Sequence, residues 1–176
     1  MTRAAAFPLV RTALVLCLTA TGAHSDKLKM PGQPPQQITA PTPEDQKRLR
    51  DQRAVVEKYL ADETSRQKYQ TAPGKLGLIR AVLRANVFKP TQTYELQCLG
   101  IVLGDAFVQE LKMEWVVVED GSGRDPAVRL PGTSIILFPL TMISKRIERG
   151  DKVDVFDLFN AMAARVEEMQ KSGHDR

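Results

Sequence analysis

The chain is short of the residues that most reactive chemistry needs. Its 176 residues hold two cysteines, Cys17 and Cys98, and two histidines, His24 and His174. Cys17 falls in an N-terminal apolar stretch that reads as removable, which leaves Cys98 alone and excludes a disulfide scaffold. A nucleophilic cysteine needs a base, normally histidine, and both histidines lie outside the expected core. Without CxxC, HExxH or a histidine cluster, a zinc or copper site lacks its usual ligands, and no cofactor is expected. Aromatics make up only 6%, with Trp115 the single tryptophan. No internal repeat is found, and apolar runs stop short of the roughly 20 residues that span a bilayer.

What is present suits one globular domain: 43% of residues are hydrophobic and 26% charged. Residues 1–23 read as a signal peptide. Arg3 and Arg11 are basic, Thr12 to Ala20 is a short apolar core, and Thr21-Gly22-Ala23 offers a cleavage site. A retained anchor is the alternative, and the stretch is too short for it; Leu16 ahead of Cys17 argues against a lipidated N-terminus. A periplasmic or secreted location follows, with no membrane span after cleavage. Loss of Arg3 and Arg11 takes the formal charge from +4 to +2, which is no polyanion-binding signature, so nucleic acid is not an expected partner.

Residues 24–41 read as a Pro/Gln-rich tether without apolar periodicity. Order begins at Thr42, a helix cap followed by Pro43 in the first turn and by Glu44 and Asp45 at the positive helix end. Leu49, Val56, Tyr59 and Leu60 then share a face of a helix running to about Glu63. Thr71 and Pro73 open a second helix with a Leu76, Ile79, Val82, Leu83 stripe, and Arg80 and Arg84 facing water. After a break at Pro90, Thr91 or Thr93 caps a third helix.

That third helix contains "ELQCLGIVLGDAFVQEL", apolar on most sides and therefore buried. Gly100 and Gly104 lie one turn apart and admit a close neighbour, while Gln97, Asp105, Gln109 and Glu110 exclude a membrane span. From Met113 the grain turns to β: "EWVVVED", a "GSGRD" turn, "AVRL" and "TSIILFP". Leu140, Ile143 and Ile147 form a short helix closed by Gly150, and a last helix from Asp154 carries Val155, Leu158, Phe159, Met162, Val166 and Met169. The expected fold is α+β: three helices, a three-stranded antiparallel meander, then two helices. The central helix packs on the sheet, in one domain over 42–170 with a frayed tail at 171–176.

Within this frame Cys98 reads as a small buried thiol, and Trp115 as a core anchor. Asp105 stands ~10.5 Å from Cys98 along the helix, too far to activate it. Carboxylates crowd the sheet end at Glu114, Glu119, Asp120 and Asp125. A calcium loop through Asp120, Ser122 and Asp125 is disfavoured by Arg124 and by the missing closing glutamate. A hydrolytic pair would need two carboxylates across a cleft, and solvated turn charges partly neutralised by Arg124 and Arg129 are the simpler account. Ser144 and Lys145 are adjacent and point apart, unlike a Ser-Lys pair. Lys145, Arg146, Arg149 and Lys152 alternate with acids as a solvated face does. The candidate interaction surface is Glu119, Asp120, Arg124, Asp125 and Arg129.

The stretches "YELQCLGIVLGDAFVQEL" and "EWVVVEDGSGRDPAVRLPGTSIILFPLTMISKRIERG" together resemble the bacterial DUF3806 family, a domain of unknown function. Its pattern is a Gly-containing helix, a Trp-bearing strand, a charged turn, a Phe-Pro corner and a basic helix. The resemblance covers roughly Thr71 to Met169 and implies no catalytic residue. The expected function is that of an exported bacterial protein, a non-enzymatic binding or accessory module of the cell envelope meeting an envelope or periplasmic protein. The alternatives are a periplasmic immunity-type protein and a carboxylate-dependent hydrolase built on Glu119, Asp120 and Asp125 with Arg124 or Arg129.

Overall fold

In the computed structural model, which describes residues 36–121 and 123–173, the chain starts with a strand, β1 (Gln37–Thr39). Four helices follow: α1 (Pro43–Glu57), α2 (Glu63–Tyr69), α3 (Ala72–Arg84) and α4 (Thr93–Glu110). Three strands, β2 (Glu114–Asp120), β3 (Gly123–Arg129) and β4 (Ile136–Leu137), lead to α5 (Leu140–Glu148) and α6 (Val155–Lys171). The α+β class holds. The signal segment, residues 24–35 of the tether and residues 174–176 of the tail lie outside the described residues.

The sheet has four antiparallel strands in the order β1-β2-β3-β4, one more than the three expected. The added strand comes from the end of the Pro/Gln-rich stretch, where Gln37, Ile38 and Thr39 pair with Glu119, Val118 and Val117. Prolines bound this window at Pro35 and Pro41, leaving a few amides free to join a ladder. Nothing in the local pattern marks it, because the pairing is by backbone. The third expected strand, "TSIILFP", shrinks to Ile136–Leu137, opposite Arg129 and Val128.

The sequence also concealed α2. The first helix ends at Glu57 rather than near Glu63, and α2 follows with Asp62 as its cap, accepting from Ser65 N at 2.7 Å. Only Tyr69 of α2 is buried, so no apolar period shows. Tyr59, expected on the core stripe of α1, lies beyond that helix, 37% exposed, edge-on to Phe88.

Caps fix the helix starts. Thr42 and Asp45 form a capping box on α1, Thr71 accepts from Gly74 N on α3, and Asp154 accepts from Phe156 N and Asp157 N on α6. For α4 the expected threonine cap is absent: Gln92 precedes the helix with no side-chain cap bond, and the Thr93 hydroxyl donates to Glu148 instead.

The core centres on α4, whose Leu96, Leu99, Val102, Leu103 and Phe107 are fully buried. Phe107 stacks on Phe159 of α6 with centroids 5.0 Å apart. Its two glycines seat the neighbours. A Cβ on Gly100 would stand 2.5 Å from the Pro139 carbonyl oxygen, and one on Gly104 would stand 2.5 Å from the Trp115 ring. The central helix therefore packs on both the sheet and α5, as expected of a small-residue face. Among the described residues no helix is long and apolar enough to cross a membrane.

Candidate functional site

The expected surface is largely spent on internal pairing. Arg124 donates to both carboxylate oxygens of Asp45, at 2.5 and 2.8 Å, and stands 3.6 Å from its cross-strand partner Glu119. Arg129 donates to Glu114, opposite it in register, at 2.6 Å. Asp125 is exposed, and Asp120 is half-buried with a partner of its own. Among the described residues no three His, Cys, Asp or Glu side chains come together as a metal cage requires. The hairpin charges thus brace β2, β3 and the start of α1.

A different group of polar side chains converges where α1, α2, α3 and α4 meet. They line an open cleft of about 470 Å³. Its organising residue is Asp105 of α4, an acid set in the buried middle of that helix. Asp105 accepts from Arg53 of α1 at 2.5 and 2.7 Å, and from the Trp115 indole N–H at 2.9 Å. Burial opposes the Arg53 charge, and the Asp105 carboxylate outweighs it, so its pKa is raised. Burying this pair is tolerable because the geometry is bidentate and a third donor fills another acceptor position.

Lys75 forms the floor. It is 8% exposed and sits in the first turn of α3, where the helix dipole disfavours a cation. Two acceptors compensate: its ammonium donates to the Tyr69 carbonyl at 3.0 Å and to Gln109 Oε1 at 2.9 Å. Gln109 in turn donates to the Gln70 carbonyl at 2.7 Å, tying α4 to the end of α2. Burial lowers the Lys75 pKa, Arg53 adds to this, and Asp105 and Glu57 oppose it. Gly74 makes the junction possible, since a Cβ there would collide with the backbone of Lys68.

Tyr69 completes the site. It is 6% exposed, lines the cleft, and its hydroxyl has no hydrogen-bond partner. Burial first, then the Glu57 and Asp105 carboxylates, push the phenol's pKa far up, so it stays protonated. Glu57 acts on this hydroxyl by its charge and as a neighbouring acceptor, without reaching a well-formed hydrogen bond. Arg66, exposed on α2, and the apolar Leu60 and Val108 finish the walls.

Cys98 lies elsewhere, fully buried in α4, as expected. Burial pushes its thiol up to about 11 against the opposing bond from Tyr94. Sequence reasoning missed Arg53, Tyr69 and Lys75. It took Asp105 as a break in an apolar run and as too distant to activate Cys98, although an acid in the buried middle of a helix requires a partner. Lys75 carried a signal too, standing three and four residues before the core residues Leu78 and Ile79.

The matched family bears on one wall of this cleft. Residues 75–159 match the model of DUF3806, a domain of unknown function. The match begins at Lys75 and includes Asp105, Gln109 and Trp115, whereas Arg53, Glu57 and Tyr69 precede it. No curated protein matches the sequence. A solved crystal structure from Bacteroides thetaiotaomicron VPI-5482 is similar in fold, with a TM-score of 0.60 at 15% identity over 77% of this chain. This chain spans 50% of the length of that protein.

Proposed function

We propose that this protein is an exported bacterial module that binds rather than transforms, and that the cleft between α1, α2, α3 and α4 is its binding site. The observation that carries this is the Tyr69 hydroxyl, buried without a partner at the wall of a 470 Å³ cleft. An unsatisfied buried hydroxyl costs roughly 1–3 kcal/mol, and a ligand that accepts from it recovers that cost. The cleft volume lies within the usual range for small-ligand sites, about 300–1,000 Å³.

Binding is favoured over hydrolysis because Asp105 is committed, which leaves Glu57 as a single carboxylate where paired acid–base chemistry needs two. Asp105 is held by three donors and Lys75 by two acceptors. In the hairpin, Arg124 is held by Asp45, which weakens the support for a carboxylate-dependent hydrolase there. Export and an envelope location rest on the character of residues 1–23. The hairpin residues Glu119, Asp120, Arg124, Asp125 and Arg129 are the second candidate surface, favoured for a protein partner because Asp125 borders a depression that also holds the exposed Phe138.

Native mass spectrometry of protein isolated from its own cells tests the reading. A bound small molecule is expected on the wild type and not on Tyr69→Phe. Equal retention by both places the ligand outside the cleft, and turnover of a cell-wall or ester substrate by purified protein overturns the proposal.

A further inference from the structure

The unspent hydrogen-bonding capacity of the cleft identifies the ligand class. An ammonium has three N–H donors and a guanidinium five. Lys75 uses two of its three on the Tyr69 carbonyl and Gln109 and lies over the Tyr69 ring at 5.0 Å, and Arg53 bonds Asp105 through Nε and Nη2, leaving Nη1 unspent. The Tyr69 hydroxyl is unpartnered. Arg66 adds a guanidinium on the same wall. All of these are donors, and the cations outnumber the carboxylates of Glu57 and Asp105 by three to two.

On the acceptor side the balance is different. Asp105 is occupied by Arg53 and Trp115, and Gln109 uses its oxygen on Lys75 and its nitrogen on Gln70. Glu57 is then the carboxylate left for a ligand, half-buried in the cleft lining and acting on Tyr69 and Lys75. A polyanion would be repelled by Glu57. A simple cation would meet Lys75, Arg53 and Arg66.

The geometry points to a free amino acid: its carboxylate accepts from Tyr69 Oη, Lys75 Nζ and the guanidinium groups, its ammonium donates to Glu57, and its side chain lies against Leu60 and Val108. This assignment rests on the cleft being a binding site, as proposed above, and deepens it by naming both charges of the ligand.

The test uses the mature protein and three probes, L-leucine, N-acetyl-L-leucine and L-leucinamide, titrated by heteronuclear NMR. The Trp115 indole N–H, bonded to Asp105, serves as the reporter. Leucine is expected to bind saturably, with the acetylated and amidated forms each at least tenfold weaker. Tyr69→Phe removes only an unpartnered hydroxyl, so the fold survives, and at least a fivefold loss of leucine affinity is expected. Glu57→Gln should abolish the preference for leucine over N-acetyl-leucine. Binding of N-acetyl-leucine as tight as leucine overturns the assignment in favour of a plain carboxylate site and leaves the binding module standing. Absence of shifts with all three probes, alongside a bound mass that Tyr69→Phe loses, overturns the amino-acid assignment alone. Absence of both overturns the binding site as well.

Discussion

Arg53 and Asp105 meet as a bidentate ion pair across α1 and α4, and the Trp115 indole joins the same carboxylate from β2. One acid thereby fastens two helices and the sheet. Their side chains are 23% and 13% exposed, so the pair is shielded from water over most of its surface.

Replacing Asp105 leaves a shielded guanidinium and an indole N–H without their acceptor. Asp105→Ala is expected to lower the unfolding free energy by about 3 kcal/mol, the scale for breaking a buried pair by removing one partner. Urea denaturation followed by Trp115 fluorescence measures it. A change under about 1 kcal/mol would show that the pair contributes as a surface bridge does.

Glycines of similar helical context should diverge. Gly100→Ala drives a Cβ into the backbone of Pro139 and Leu140, and neither can rotate away. A net loss of about 1–3 kcal/mol is expected, as for an overpacked core. Gly77, within α3, has nothing within 4 Å of an added Cβ, so Gly77→Ala should stabilise by up to about 1 kcal/mol. Thermal melts of the two variants would show opposite shifts.

Gln52 is 1% exposed, and both atoms of its amide lack a partner. An apolar replacement of similar length removes that desolvation cost. Gln52→Met is expected to raise stability by about 1 kcal/mol. A fall in the urea midpoint would show that a bound water satisfies the amide.

The Asp45–Arg124 pair predicts an acid-side effect. The Arg124 guanidinium, with Thr42, holds the Asp45 carboxyl well below the usual carboxylate range despite some opposing desolvation. A depressed folded pKa gives stability that is complete above the unfolded value, about 3.9, and is lost as pH falls below it. Arg124→Gln should therefore be less stable than wild type at pH 7, with the gap closing progressively below about pH 4. Because Arg124 is 40% exposed, salt should narrow the gap at pH 7 as well.

Elements with a dense apolar period were readable from residues alone. Helices α3, α4 and α6 and the β2–β3 hairpin carry that signal, and Thr42 and Thr71 marked two starts. Strand β1 and helix α2 were not readable, because one depends on distant backbone pairing and the other buries a single side chain. The cleft escaped for a related reason. Arg53, Tyr69, Lys75 and Asp105 come from four helices, and no local spacing announces their convergence. The hairpin charges were conspicuous in the sequence because they cluster along the chain, and their proximity there reflects cross-strand pairing.

Strand β1 is three residues long, yet its bonds to β2 close a loop of about 80 residues containing four helices. The folded core already closes that loop, since α1 packs on α4 and Asp45 binds Arg124, so the strand is held only by its own short ladder at the sheet edge. The strand belongs at the low-stability end of the domain, opening on its own while α4 and its neighbours stay folded. Such a strand can peel from the sheet edge at Gln37–Thr39 and re-engage without unfolding the core.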